Sequence, residues 1–371
     1  MLLETLGSLD RSEYQPIVAL GTDGEFRQRL LDGGISVLDL PLGEYHSGKK
    51  TFLDKVRFSF RSLYCTFVLA RWVVRHRAKL LFANGPRTFA CVTLTGVLTR
   101  RPVIWHLHNV FAAGVEPALL VWFARWVHTI LVCSEAAAEP LLRRVPSLRS
   151  KVKLVYNPAP CFMPPSKAEL DQLRESLDIR PDDVCVGIFG RITPFKGQLQ
   201  FLQAARLVAS ETSRARFFVV GSPAGDMVDR EYYRQLLTLV NDAGMNGAVT
   251  FVEHQPEVEK YLGLMDVVAV TSQGPEALPQ IIMEAMWLGK AVVATASGGI
   301  VEMLDGTTGL LGKMDSPTEL AAAMLKLIRE RDTRLSLGSN AQERISRQYS
   351  RQEFAKAIRL TLKECMGEEG R

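Results

Sequence analysis

The stretch VCVGIFGRITPFKGQLQFLQAARLVAS, residues 184–210, decides how this chain is read. Its first six residues, Val184–Phe189, are an unbroken apolar run, the pattern of a parallel strand covered on both faces. Gly190-Arg-Ile-Thr-Pro-Phe-Lys196-Gly197 follows as a loop, and the apolar spacing from about 197 to 210 predicts a helix. Glycine at a strand end lets the backbone approach a ligand, and the N-terminus of the next helix offers unpaired N–H groups to an anion. Arg191 can grip phosphate oxygens as a planar fork, and Lys196 adds a mobile point charge. Neither common nucleotide fingerprint fits. The lysine comes six residues after Gly190 and is followed by Gly197, which is not a P-loop, and no G-x-G-x-x-G occurs in the chain. An ordinary surface loop stays open as the alternative.

The same alternation extends in both directions. Short branched-apolar runs predict strands at Val184–Phe189, Arg216–Val220, Val249–Val252, Val267–Thr271 and Ala291–Thr295. Helical patterns lie near 197–210, 230–243, 280–288 and 317–331. Upstream, strands are predicted at Pro16–Leu20, Ile35–Leu40, Leu80–Asn84, Val103–His108, Thr129–Cys133 and Lys153–Tyr156. Between the halves, Asn157–Pro165 holds four prolines in nine residues, which can continue neither a helix nor a central strand and marks a linker. A helix near 166–178 follows it, and a last amphipathic stretch runs from Gln352 to Glu364. A length of 371 residues suits two domains. The expected fold class is α/β, two Rossmann-like, doubly wound domains facing a central cleft. Residues 1–160 form the first, 161–348 the second, and 349–371 a closing helix that packs back towards the first.

A second constellation is Pro275-Glu276-Ala-Leu-Pro279-Gln-Ile-Ile-Met-Glu284. Glu276 falls in the loop after the 267–271 strand, Pro279 suits a first helical turn, and Gly289 ends the helix. Leu278, Pro279 and Gln280 surround the N-terminus, with Glu284 about one and a half turns in. A carboxylate can accept two vicinal sugar hydroxyls while free amides face a diphosphate. The ordinary alternative makes Glu276 an acid complementing the helix dipole and Glu284 a solvated helix residue. A third element, Gly298-Gly299, follows the 291–295 strand and permits close backbone approach, or simply a tight turn before Asp305-Gly306.

Composition excludes several classes. With 47% hydrophobic and 23% charged residues the chain is neither disordered nor a membrane-embedded bundle. Its longest apolar stretches, such as Ala118–Val127, fall short of the ~20 residues of a spanning helix. The N-terminus lacks the charged-then-apolar design of a secretory signal. Six cysteines without a C-x-x-C pair suit a reducing compartment, so a cytoplasmic location is expected. The net charge of +5 is uneven: residues 1–153 carry 21 Lys/Arg against 12 Asp/Glu. The excess sits between Tyr45 and Lys79, from Lys49 and Lys50 through Arg57, Arg61, Arg71 and Arg75, interleaved with Phe52, Phe58, Phe60, Tyr64, Phe67 and Trp72 on a helix near 54–77. Two readings remain open. The helix packs its apolar stripe on its own domain, or it lies on anionic lipid headgroups as a peripheral anchor at the inner membrane face. No nucleic-acid module accompanies the charge, so nucleic acid is not expected as a partner.

The order GRITPFKGQ, ARFFVVGS, VTFVEHQPEV and the E-x7-E of PEALPQIIMEAMWLGKAVVATASGGIVEMLDGTTGLL resembles the retaining glycosyltransferases of family 4, which have the GT-B fold. The resemblance runs from about residue 2 to 362 and is specific mainly over 186–312. It implies a nucleotide-diphosphate sugar as donor, retention of anomeric configuration, a glycan or lipid-linked acceptor and no metal or other cofactor. The absence of any Asp-x-Asp agrees with that. Arg191 and Lys196 match the residues that hold the donor diphosphate, beside Gly190, and Glu284 the one that binds ribose. Glu276 matches the one that contacts the transferred sugar, and Gly298–Gly299 lies against the donor. Leu278 replaces an aromatic often found there, which leaves the sugar identity open. Catalytic roles therefore fall to Glu276, Arg191, Lys196 and a histidine of the first domain.

The resemblance implies that this histidine is His108, contacting sugar or acceptor, and a satisfied core histidine stays open as the alternative. In Trp105-His106-Leu-His108-Asn109, strand alternation puts His106 and His108 on one face. An H-x-H pair can ligate zinc, but no third ligand stands out among His46, His76, His128 and His254. Asn84, Ser134 and Asn157 also end strands and are acceptor-side candidates, though strand-end Asn and Ser are common as caps. One departure bears on activity. Family members begin with a strand and a Gly-rich loop before the helix that Leu2–Leu9 represents, and that strand would lie between those at 16–20 and 80–84. Two explanations are expected: a start some 20–30 residues upstream, or a degenerate, catalytically inactive copy. A GT-B sugar epimerase is a further rival.

Overall fold

The structure, a computed structural model, describes residues 1–21, 24–43, 51–111, 118–223, 225 and 227–367. Its strands in chain order are β1 (Ile17–Leu20), β2 (Ser36–Asp39), β3 (Leu81–Asn84), β4 (Val103–Leu107), β5 (Thr129–Val132), β6 (Val152–Leu154), β7 (Val184–Phe189), β8 (Ala215–Val220), β9 (Val249–Val252), β10 (Val267–Val270), β11 (Ala291–Thr295) and β12 (Leu310–Gly312). All pair in parallel. The chain divides into two α/β, Rossmann-like units, Pro158–Ser350 and Met1–Asn157 with Arg351–Arg371.

In the unit Pro158–Ser350 the sheet order is β12-β11-β10-β7-β8-β9. β7, β10 and β11 are buried at every residue, whereas β9 and β12 at the edges are only partly so. That is why the inner strands read as continuous Val/Ile runs. Helices Gln198–Glu211, Met227–Asp242 and Pro317–Arg329 supply Phe201, Leu202, Val208, Leu236, Met324 and Leu327 to the core. β7 is followed by β8 and β9 on one side and by β10, β11 and β12 on the other. The order therefore reverses at the β7/β10 pair, the place where open α/β sheets bind ligands. The elements that escape the sequence reading include β12, three residues long, the short helices Val258–Leu264 and Ile300–Met303, and the 18-residue helix Arg331–Gln348, whose polar composition leaves only a narrow buried stripe of Leu337, Ala341 and Ile345.

In the other unit β3-β4-β5-β6 form one sheet and β1-β2 a separate pair. The helix predicted over Leu2–Leu9 spans Leu2–Gly7 and packs Leu6 with Val18, Leu30 and Ile35. The helix expected near 54–77 spans Phe52–Arg75, opened by a Thr51/Asp54 capping box. It packs on the helix Pro86–Thr99, with Thr95 Oγ1 donating to Thr66 O at 3.3 Å. The expected strand at 153–156 is Val152–Leu154. Tyr45, His46, Lys49 and Lys50 lie outside the described residues.

The closing helix, Arg351–Met366, places Phe354, Ile358, Leu362 and Cys365 against Ile104, Leu131 and Val155. Those four recur at i, i+4, i+8 and i+11, one helical face. Arg351 pairs with Glu4 at 2.5 Å, and Lys153 with Glu364. The unit boundary falls at Asn157/Pro158, at the head of the proline-rich segment, and again at Ser350/Arg351. Among the described residues none of the six cysteines forms a disulfide.

Candidate functional site

The loops after β7 and β10 lie side by side because their strands are neighbours. Gly197 sits in the left-handed region at φ 72°, and a Cβ there would meet Thr271 O at 1.9 Å. No other residue lets the 190–197 loop approach that strand end. Thr271 Oγ1 donates to Gly197 O at 2.8 Å and Gln273 N to Phe195 O at 2.7 Å, so the two loops are stitched together. A third loop joins from β11. Gly299 N donates to Glu276 O at 2.7 Å, and a Cβ on Gly298 would meet the same carbonyl at 2.2 Å. Thr295 Oγ1 donates to Ser272 O at 2.9 Å and Ser297 Oγ to Gly274 O at 2.8 Å.

This framework sets the charged side chains. Lys196 Nζ lies 2.5 Å from Glu276 Oε1, and Ser272 Oγ donates to the same oxygen at 2.8 Å. Both members of the ion pair are largely shielded from solvent. Arg191 is exposed and its side chain makes no hydrogen bond or ion pair to any described residue, while its carbonyl is held by Gln198 Nε2 at 2.9 Å. Of the helix amides expected to face an anion after Lys196, that of Leu199 is taken by Tyr232 Oη at 2.8 Å.

The other helix start is freer. Helix Gln280–Trp287 is capped by the extended Pro279, which stands just before the first turn rather than within it. Among the described residues the amides of Gln280 and Ile281 find no acceptor. Leu278 and Pro279 are buried beside that end and Gln280 is exposed. Glu284 lies four residues after Gln280, about one turn in. It is not a solvated helix residue: burial pushes its carboxyl up to about 7, against a hydrogen bond from Gln280 that lowers it and Glu259 nearby that raises it. A carboxylate kept away from water beside free amides is a ligand-binding arrangement.

The structure thus brings Lys196, Glu276, Gly298 and Gly299 into direct contact and sets Arg191, Gly190 and the 278–284 turn around the same switch point. Ser272, Thr271 and Ser297 were not singled out in the sequence. Small hydroxyl residues after a strand carry no signal until their partners are known.

In the unit Met1–Asn157, His108 Nε2 lies 2.8 Å from Asn84 Oδ1, joining the ends of β3 and β4. His106 is fully buried, neither ring nitrogen has a hydrogen-bond partner among the described residues, and its ring lies 3.9 Å from that of His108. Burial holds His106 well below the ordinary histidine value, with His108 adding to it, and burial brings His108 down to about 4. Both are neutral at neutral pH. Ser134 is buried and accepts from Ala137 N at 3.1 Å, capping the helix Glu135–Arg144, which accounts for it structurally. Asn157 Oδ1 is buried without a partner. No group of three His, Cys, Asp or Glu among the described residues could hold a metal ion.

Two family matches run in tandem along the chain. Glycosyltransferase family 4 matches residues 2–161, and glycosyl transferases group 1 matches residues 170–344. The chain belongs to the GT-B glycosyltransferases. The lipopolysaccharide 1,2-N-acetylglucosaminetransferase of Salmonella typhimurium is 31% identical over 210 residues, 56% of this chain and 52% of that protein. The D-inositol 3-phosphate glycosyltransferase of Stackebrandtia nassauensis is 33% identical over 181 residues, 47% of this chain and 40% of that protein. The chain spans about half the length of the curated relatives it matches. Among solved structures, Anabaena HepE in complex with UDP superposes with a TM-score of 0.83 at 23% identity, covering 98% of this chain and 95% of that one. The two chains share a fold over nearly their whole lengths.

Proposed function

We propose that this GT-B protein transfers a hexose from a nucleotide-diphosphate sugar to a glycan or lipid-linked acceptor, with retention of configuration and without a metal. The observation that carries the reading is the meeting of Lys196, Glu276 and the Gln280–Glu284 turn at the sheet's switch point. Arg191 and Lys196 clamp the diphosphate together with the free amides of Gln280 and Ile281. These groups stabilise the negative charge that develops on the leaving diphosphate as the bond to the sugar breaks. Glu284 accepts the ribose hydroxyls and Glu276 faces the sugar.

The Lys196–Glu276 pair gives this scheme an order of events. A diphosphate competes with Glu276 for Lys196, and the carboxylate it displaces stays tethered by Ser272 and becomes free to accept sugar hydroxyls. Glu276 is a binding group here and not a covalent nucleophile. The acceptor oxygen bonds to the anomeric carbon on the face the diphosphate leaves, and its proton passes to a phosphate oxygen. In the first unit, His108, oriented by Asn84, is the group assigned to the acceptor, with His106 behind it and Asn157 as a further contact. A cytoplasmic site of action suits cysteines that form no disulfide among the described residues.

A thermal-shift screen of UDP-, GDP- and ADP-sugars tests the reading, because a ligand bound only by the native state raises the melting point. UDP-sugars lead the screen: HepE has also been solved with UDP-glucose. Arg191→Ala should abolish the shift while leaving the unliganded melting point in place. A shift that survives this change, or no shift with any nucleotide sugar, refutes the proposal. Product analysis then separates transfer from epimerisation, since an epimerase alters the sugar without an acceptor.

A further inference from the structure

The helix Phe52–Arg75 is apolar on two opposite sides. Its inward side buries Cys65, Leu69 and Val73 with Ser62 and Thr66. Its outward side carries Phe60, Leu63, Tyr64, Phe67 and Val74, which are 70%, 48%, 60%, 67% and 69% exposed. At 3.6 residues per turn these five fall within an arc of about 100°, centred opposite the buried row. A helix covered on one side only should present polar residues there. Exposed Arg57, Arg61, Arg71 and Arg75 run along one edge of the arc, and Asp54 is the only acid in the helix.

We propose that this outward face docks on an anionic lipid bilayer, with the aromatic row in the headgroup boundary and the arginines on lipid phosphates. The occupant must be apolar along a stripe and negative beside it. A second copy of the face brings only Asp54 to meet the arginines, whereas an anionic bilayer supplies both features. No helix among the described residues is long and apolar enough to cross a membrane. The inference stands on the surface alone and does not require the transferase reading.

Flotation of the full chain with phosphatidylcholine vesicles, with and without phosphatidylglycerol, provides the test. The protein should float with the anionic vesicles only, and salt should release it. Arg57→Gln/Arg71→Gln/Arg75→Gln should lower the partition coefficient roughly a hundredfold, since each basic residue near the surface contributes about fivefold. Phe60→Ser/Phe67→Ser should lower it at least about tenfold, from the lost apolar insertion. These positions are exposed, so the melting point should hold and report intact folding. Equal flotation on neutral and anionic vesicles, no flotation on either, or variants that float like the parent overturn the proposal. So does a dimer in sedimentation that the phenylalanine changes dissociate while flotation is unaffected. Nucleotide-sugar shifts on the same preparations separate the two readings. Donor binding without flotation overturns docking alone, and flotation without donor binding overturns the transferase alone.

Discussion

Glu284→Gln should stabilise the protein at alkaline pH while weakening donor binding. In the folded chain the Glu284 carboxyl is raised from 4.5 to about 7 by burial. Between those values the unfolded chain releases its proton while the folded chain keeps it. Stability is therefore full at acid pH and falls as pH rises through this window. A shift of that size corresponds to about 3 kcal/mol by pH 8, of which roughly 2 to 3 kcal/mol is lost between pH 5 and 8. Glutamine has the same shape, stays neutral and keeps a polar end for Gln280, so it escapes this loss. In urea, with a slope of about 2–3 kcal/mol/M for a domain of this size, the variant's midpoint should exceed the parent's by roughly 1 M at pH 8 and by little at pH 5. Isothermal titration should show the reverse order for the nucleotide sugar, with the parent binding more tightly as pH rises through 7 and the variant indifferent to it. Urea curves that stay parallel across this pH range would refute the reasoning, because the carboxyl would then be titrating as a solvated group.

Lys196→Ala should cost the donor about ten- to a hundredfold in affinity, the range of a lost charge-assisted hydrogen bond, when read by the same titration. Ser272→Ala leaves Glu276 with one partner fewer, so steady-state kinetics should show kcat falling about tenfold with KM nearly constant. If KM moves instead, Ser272 serves donor binding. Gly197→Ala places a Cβ at 1.9 Å from Thr271 O on a left-handed backbone, and should destabilise the protein by about 2 kcal/mol or more by urea unfolding. Asn84→Ala should free the His108 ring, lowering transfer to acceptor while leaving the nucleotide-sugar melting shift in place.

Local sequence alone settles the α/β class and five of the six strands of the second unit to within a residue at each end. Periodicity and glycine placement are local properties, and a strand buried on both faces writes itself as an unbroken apolar run. Tertiary structure decided the rest. The sequence leaves Glu284 open between a ligand carboxylate and a solvated helix residue, and only the structure shows the burial that raises its carboxyl. The Lys196–Glu276 pair joins residues 80 positions apart, and Ser272 gains its role from that pair. Helix Arg331–Gln348 stayed hidden because its buried stripe is narrow, and β12 because three residues carry no period. The outward row of Phe52–Arg75 shows the same division most plainly. Helical spacing disclosed its aromatic residues, but which of them face the core and which face outward depends on where the neighbouring helix packs, and no local pattern fixes that.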